Sequence, residues 1–138
     1  MAIECAIGTD SGPRKTNEDA VGVWRLRDKT LCLAIADGLG GMGAGAVASE
    51  LAISKIAELV EYFPRKPNDL LEIFLTVHNE IVKKQADNEQ QRFMATTLTF
   101  LLIQGDRLIG GHTGDTRASV SRGNGIKRLT EDHTEAQR

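Results

Sequence analysis

The chain has 138 residues, 41% of them apolar and 26% charged, the profile of one soluble globular domain with a core of ordinary size. A net charge of −2, the lack of any basic block and only 4% aromatic side chains argue against a nucleic-acid partner or a charged membrane surface. Met1 leads into AIECAI, which carries Glu4 and no long apolar leader, and no later apolar run reaches bilayer-spanning length, so a cytoplasmic protein is expected.

Residues 2–7 alternate, with Ile3, Cys5 and Ile7 on one face, and predict a half-buried strand before a turn-rich stretch. A second strand is expected near residues 20–26. After a turn at Asp28 and Lys29, the apolar run 31–36 predicts a core strand buried on both faces. Cys5 and Cys32 lack C-x-x-C spacing and neighbouring histidine, so both are expected as buried small hydrophobes rather than a zinc or redox pair.

From Gly45 the period changes: Val47, Ala48, Leu51, Ala52, Ile56, Leu59 and Val60 form one stripe of a helix that Pro64 and Pro67 end. A second helix is expected from Asn68 or Asp69, with Asp69 and Glu72 in capping-box spacing and a stripe of Leu70, Leu71, Phe74, Val77, His78, Ile81 and Val82. His78, and His112 further on, are expected to be structural. Residues 96–104 then read as a strand, Gly105-Asp106 as a hairpin turn before a strand over 107–113, and Gly123-Asn124-Gly125 as a second hairpin turn. Strands, two helices and then an antiparallel meander argue for an α+β fold with helices packed on a sheet, rather than alternating βαβ units.

Four polar clusters adjoin predicted strand ends: Arg14 with Asn17-Glu18-Asp19, Asp37-Gly38, Gly114-Asp115-Thr116-Arg117, and Thr130-Glu131-Asp132-His133. Carboxylates gathered at one sheet edge repel one another unless a cation neutralises them, and hard oxygen ligands favour Mg²⁺ or Mn²⁺ over zinc. A competing reading exists for the second cluster, because Gly38, Gly40 and Gly43 spell the G-x-G-x-x-G of a dinucleotide loop between a strand and a helix. Against it, the element after that helix is another helix, so no second parallel strand presents an acid to a ribose, and Asp37 would set negative charge beside the pyrophosphate.

Five motifs in order carry a resemblance: G-T-D-S-G-x-R-x-x-N-E-D over residues 8–19, A-D-G-L-G-G over 36–41, A-T-T-L over 95–98, G-D-T-R over 114–117 and L-T-E-D-H-T over 129–134. The chain resembles the metal-dependent serine/threonine protein phosphatases of type 2C, over nearly its whole length. That resemblance implies antiparallel sheets with two helices on one face, forming part of an α-β-β-α sandwich. It implies that Asp37 bridges two Mn²⁺ or Mg²⁺ ions, that the Gly38 carbonyl is a ligand, and that Glu18 and Asp19 hold the metals directly or through water. Arg14 would bind the substrate phosphate, and Asp115 would attend a further metal. The implied reaction is hydrolysis of phosphoserine or phosphothreonine in phosphorylated proteins by a metal-activated water.

The chain departs from the family pattern in three ways. Leu39 and Met42 stand where relatives carry histidine, the former pointing to a bacterial-type enzyme, and together they leave no imidazole to protonate the leaving group. Thr116 replaces the usual serine and keeps its hydroxyl. Residues 1–138 are expected to form a single phosphatase-like domain that is incomplete, without the later strands and two later aspartates of the family site. Two further expectations follow: weak or absent activity of this chain alone, and association with a second copy or a complementing chain. A non-catalytic module that binds metal or phosphoproteins remains the second reading.

Overall fold

The structure, a computed structural model, describes residues 2–62 and 65–134. Strands β1 (Asp19–Arg25) and β2 (Leu31–Leu39) precede helices α1 (Ala44–Leu59) and α2 (Pro67–Asp87). Then come β3 (Ala95–Thr96), β4 (Leu98–Gln104), β5 (Arg107–Thr113), β6 (Ser119–Arg122) and β7 (Gly125–Arg128). The main sheet has the order β1-β2-β4-β5 with the short β3 against the end of β2, while β6 and β7 form their own hairpin. Every pairing is antiparallel. The chain is α+β, and a dinucleotide loop, which needs parallel neighbours beside its strand, has no place in it.

Both helices cover one face of the sheet. Cys32, Ala34 and Ala36 of β2 and Leu98, Phe100 and Leu102 of β4 point to that face, where they meet Ala48, Ala52 and Ile56 of α1 and Leu70, Ile73 and Val77 of α2. Small side chains on β2 and α1 let strand and helix approach closely. The larger residues of β4 fill the space under α2, where the Phe74 and Phe100 rings stack at 5.3 Å between centroids.

Among the described residues the opposite face carries no helix. Ladder register puts Val21 opposite Ile35, Val23 opposite Leu33, and Leu33 opposite Leu101, all pointing away from the helices. With Ile7 and Ala118 these side chains line a cavity of about 320 Å³. The expectation that β2 is buried on both faces is therefore corrected: Ile35 is 42% exposed, because only short passages of chain cross this side.

Other corrections have local causes. Residues 2–7 form no strand, since no edge among the described residues pairs with them, and Cys5 is exposed while Cys32 is buried. Burial pushes the Cys32 thiol up to about 12, so it is inert. Helix α2 begins at Pro67, whose fixed φ suits a first turn, and no side-chain cap forms at Lys66, so the capping box is not built. Its buried stripe is Leu70, Ile73, Val77 and Ile81. Leu71, His78 and Val82 face outward instead. Pro64 lies outside the described residues.

Candidate functional site

The site forms where β1 begins and β2 nears its end. Asn17 organises the approach: its Oδ1 accepts the Asp19 N–H at 3.0 Å and its Nδ2 donates to Thr9 Oγ1 at 2.7 Å. Asp19 then pairs directly across the ladder with Asp37. Alternation along both strands places their side chains on the helix-free face, at the edge of a cavity of about 290 Å³ that Arg14, Asn17 and Glu18 also line. The cavity is polar, unlike the larger apolar one further along the same face.

Asp37 is held through its backbone by Thr97, which accepts the Asp37 N–H on Oγ1 at 2.9 Å and donates its own N–H to the Asp37 carbonyl at 3.0 Å. Its carboxyl is pushed above the ordinary value by partial burial, a hydrogen bond shared with Asp19, and repulsion from Asp19 and Asp115, with Arg14 opposing. Of the expected site residues, Arg14, Asp19 and Asp115 thus all act on the Asp37 carboxyl. Like charges directly opposite across a ladder destabilise it, so this pair calls for a cation.

Gly38 and Glu18 play a different part. The Glu18 carbonyl accepts both the Gly38 N–H at 2.9 Å and the Ser49 hydroxyl at 2.7 Å, tying the end of β2 to α1. The Glu18 carboxylate lies against Gly45 in the first turn of α1, where the helix dipole favours an anion. A β-carbon on Gly38 would overlap the Gly45 carbonyl oxygen, so strand and helix backbones touch here. The glycine after Asp37 thus has a packing reason of its own, beside any carbonyl it lends to a metal.

The donor chemistry suits a hard divalent cation: oxygen ligands only, and a surplus of negative charge that Arg14 does not cancel. Among the described residues no three His, Cys, Asp or Glu side chains converge closely enough to hold a metal ion by themselves. Leu39 and Met42 border the site and are 69% and 88% exposed, and Met42 takes the left-handed backbone conformation at φ +58°.

Sequence reasoning named the residues that carry charge and missed those that place them. Thr97 and Thr99 belong to or adjoin the A-T-T-L motif, but nothing in their spacing shows that Thr97 binds Asp37 from 60 residues away. Asp132 likewise accepts two hydrogen bonds from Arg117, at 3.0 and 2.6 Å, and pairs with Arg128. These cations hold its carboxyl down at about 2.

Comparison with known proteins gives the family. The profile of the protein phosphatase 2C family matches residues 13–137. The chain is 33% identical over 137 residues to the protein phosphatase PhpP of Streptococcus pneumoniae, covering 96% of this chain and 56% of that one. It is 36% identical over 143 residues to the serine/threonine protein phosphatase PstP of Mycobacterium tuberculosis, covering 99% of this chain and 26% of that one. The catalytic domain of PstP in complex with two manganese ions superposes with a TM-score of 0.77 at 34% identity, over 90% of this chain and 53% of that one. A bacterial serine phosphatase superposes with a TM-score of 0.86 at 27% identity, over 94% of this chain and 55% of that one. The chain thus spans about half the length of PhpP and of these solved structures. With the family profile matching most of its length and its fold superposing on phosphatases of about a third identity, the chain belongs to the protein phosphatase 2C family.

Proposed function

We propose that this chain carries the phosphate-binding arginine and the first metal-binding carboxylates of a protein phosphatase that hydrolyses phosphoserine and phosphothreonine in proteins. The observation that supports it best is the opposition of Asp19 and Asp37 across the β1–β2 ladder, with Asp115 and Arg14 acting on the Asp37 carboxyl. The manganese-bound PstP structure supports Mn²⁺ or Mg²⁺ as the cofactor. Asp19, Asp37, the Gly38 carbonyl and Asp115 would hold the ions, with Glu18 beside them. Divalent cations bound there would lower the pKa of water into the neutral range and neutralise phosphoryl oxygens.

The residues of the chain then divide the remaining work. Arg14 lines the cavity and holds the phosphoryl oxygens of the substrate through charge-assisted hydrogen bonds. A water oxygen bonds to phosphorus as the ester P–O bond breaks, and the serine or threonine oxygen leaves as a hydroxyl. Leu39 and Met42 carry no proton to give, so water, free or held in the metal shell, would protonate the leaving oxygen, and the attacking water gives up its own proton to solvent.

By this reading the 138-residue chain alone binds divalent cations weakly and turns substrate over slowly or not at all. It works in the cytoplasm on phosphorylated proteins, and a second copy or a complementing chain covers the apolar face around Ile35. Calorimetric titration with Mn²⁺, followed by phosphothreonine-peptide turnover, tests it. Saturable binding that Asp37→Asn abolishes is the expected result. No heat of binding at millimolar Mn²⁺ overturns the metal assignment, and robust turnover by this chain overturns the assignment of weak activity. One second reading, a metal- or phosphoprotein-binding module without turnover, rests on Arg14 in the polar cavity, which can hold a phosphate without a metal. Phosphopeptide affinity that survives without Mn²⁺ identifies it.

A further inference from the structure

The loop after β5 that carries Asp115 is bonded on both sides of that residue. Gly114 donates its N–H to His133 Nδ1 at 3.3 Å, and its carbonyl accepts the His133 N–H at 2.7 Å. One residue thus takes both backbone groups of Gly114. Gly114 itself sits at φ +108°, and a β-carbon there would overlap the Thr97 side chain, so the loop must pass close to the residue that holds Asp37. On the other side of Asp115, Thr116 shares a 2.6 Å hydrogen bond with Thr99. Thr99 also bonds His112 Nδ1 at 2.7 Å, and His112 Nε2 reaches the Glu131 carbonyl at 2.8 Å. Arg117 binds Asp132 through two hydrogen bonds. Residues 131–133 therefore run as a splint along residues 112–117.

We propose that His133 is the positioning residue for Asp115: by gripping both backbone groups of Gly114 it fixes the loop that carries Asp115 beside Thr97, the residue that holds Asp37. The inference rests on the reading of Asp115 as part of the cation site. The grip needs an acceptor at the place of Nδ1, so the ring proton resides on Nε2. Asparagine places its Oδ1 close to that position, whereas alanine offers nothing. Asp132 anchors the splint from the preceding position through Arg117 and Arg128, and its side chain is only 11% exposed.

The test is amide hydrogen exchange and Mn²⁺-induced line broadening, read residue by residue by NMR on the whole chain. In His133→Ala the Gly114 amide should exchange about fivefold faster, the scale of one lost hydrogen bond, while amides of β4 keep their protection. Broadening by Mn²⁺ at Asp115 should fall while that at Gly38 persists, and His133→Asn should restore both signals. Unchanged Gly114 exchange, faster exchange spread evenly over β4, or failure of asparagine to rescue overturns the inference. If His133→Ala does not fold, His133→Gln, which keeps polarity but misplaces the acceptor, answers the same questions. Should Mn²⁺ broaden neither Asp37 nor Asp115 in the unmutated chain, the metal reading fails, and the grip is decided by the exchange and rescue measurements, which need no metal.

Discussion

Gly38 and Gly45 meet backbone against backbone, so that the end of β2 and the first turn of α1 are in direct contact beside Asp37. The two glycines differ in what surrounds them. A methyl on Gly38 would drive into the Gly45 carbonyl and the Glu18 carbonyl, both parts of rigid backbone, whereas one on Gly45 would meet chiefly the end of the Glu18 side chain and, less closely, the Gly38 backbone. Gly38→Ala is expected to cost about 3 kcal/mol, because strand and helix must separate, and Gly45→Ala less, about 1–2 kcal/mol, because Glu18 can turn aside and the Gly38 backbone need yield only slightly. Urea unfolding of the two variants checks the order.

Asp37 supplies a pH-dependent prediction. Its carboxyl is raised in the folded chain, so the folded state holds its proton more tightly than the unfolded one. Stability on this account is fully present below the ordinary carboxylate value and is lost as pH rises through the raised one. Asp37→Asn should therefore stabilise the metal-free protein at pH 7 by about 0.5 kcal/mol, the scale of an exposed like-charge pair across a ladder. Thermal melts with and without Mn²⁺ check it, since Mn²⁺ should raise the melting temperature of the unmutated chain only.

Asp132 behaves in the opposite sense. Arg117 and Arg128 lower its carboxyl to about 2, so the stability it contributes is present above the unfolded value of about 4 and is lost as pH falls toward 2. In Asp132→Asn the fall in melting temperature between about pH 4 and pH 2 should be shallower than in the unmutated chain. Melts across that range, at low and high salt, measure it.

The core under α2 gives a prediction of stability alone. Phe100 is fully buried and stacks on Phe74, and Ile56 of α1 is equally buried. Phe100→Ala should cost about 3–5 kcal/mol and Ile56→Ala about 2–5 kcal/mol, as transfer and cavity costs add. Loss of the melting transition at 37 °C in Phe100→Ala is the expected extreme.

Much of this architecture was legible locally. The helical stripe of α1, the β4–β5 hairpin at Gly105-Asp106 and the β6–β7 hairpin at Gly123-Asn124 follow from period and turn chemistry, which neighbouring residues decide. The strand expected over residues 2–7 is not formed, because alternation shows that a segment suits a sheet edge, not which edge it pairs with, and neither edge strand of the main sheet, β1 or β5, takes it as a partner. The expected burial of His78 and Val82 failed because α2 buries a narrower stripe, Leu70, Ile73, Val77 and Ile81, than its sequence offers.

The sequence by itself determined the family, since Arg14, Glu18, Asp19, Asp37 and Asp115 stand in motifs whose order identifies it. Only the tertiary structure decided how they stand to one another. Ladder register is a nonlocal property, and it sets Asp19 opposite Asp37 on the face without helices. Close packing turned the glycine after Asp37 into the contact between β2 and α1. Hydrogen bonds from Thr97 to Asp37 and from His133 to Gly114 join chain segments whose separation in sequence hides their meeting in space.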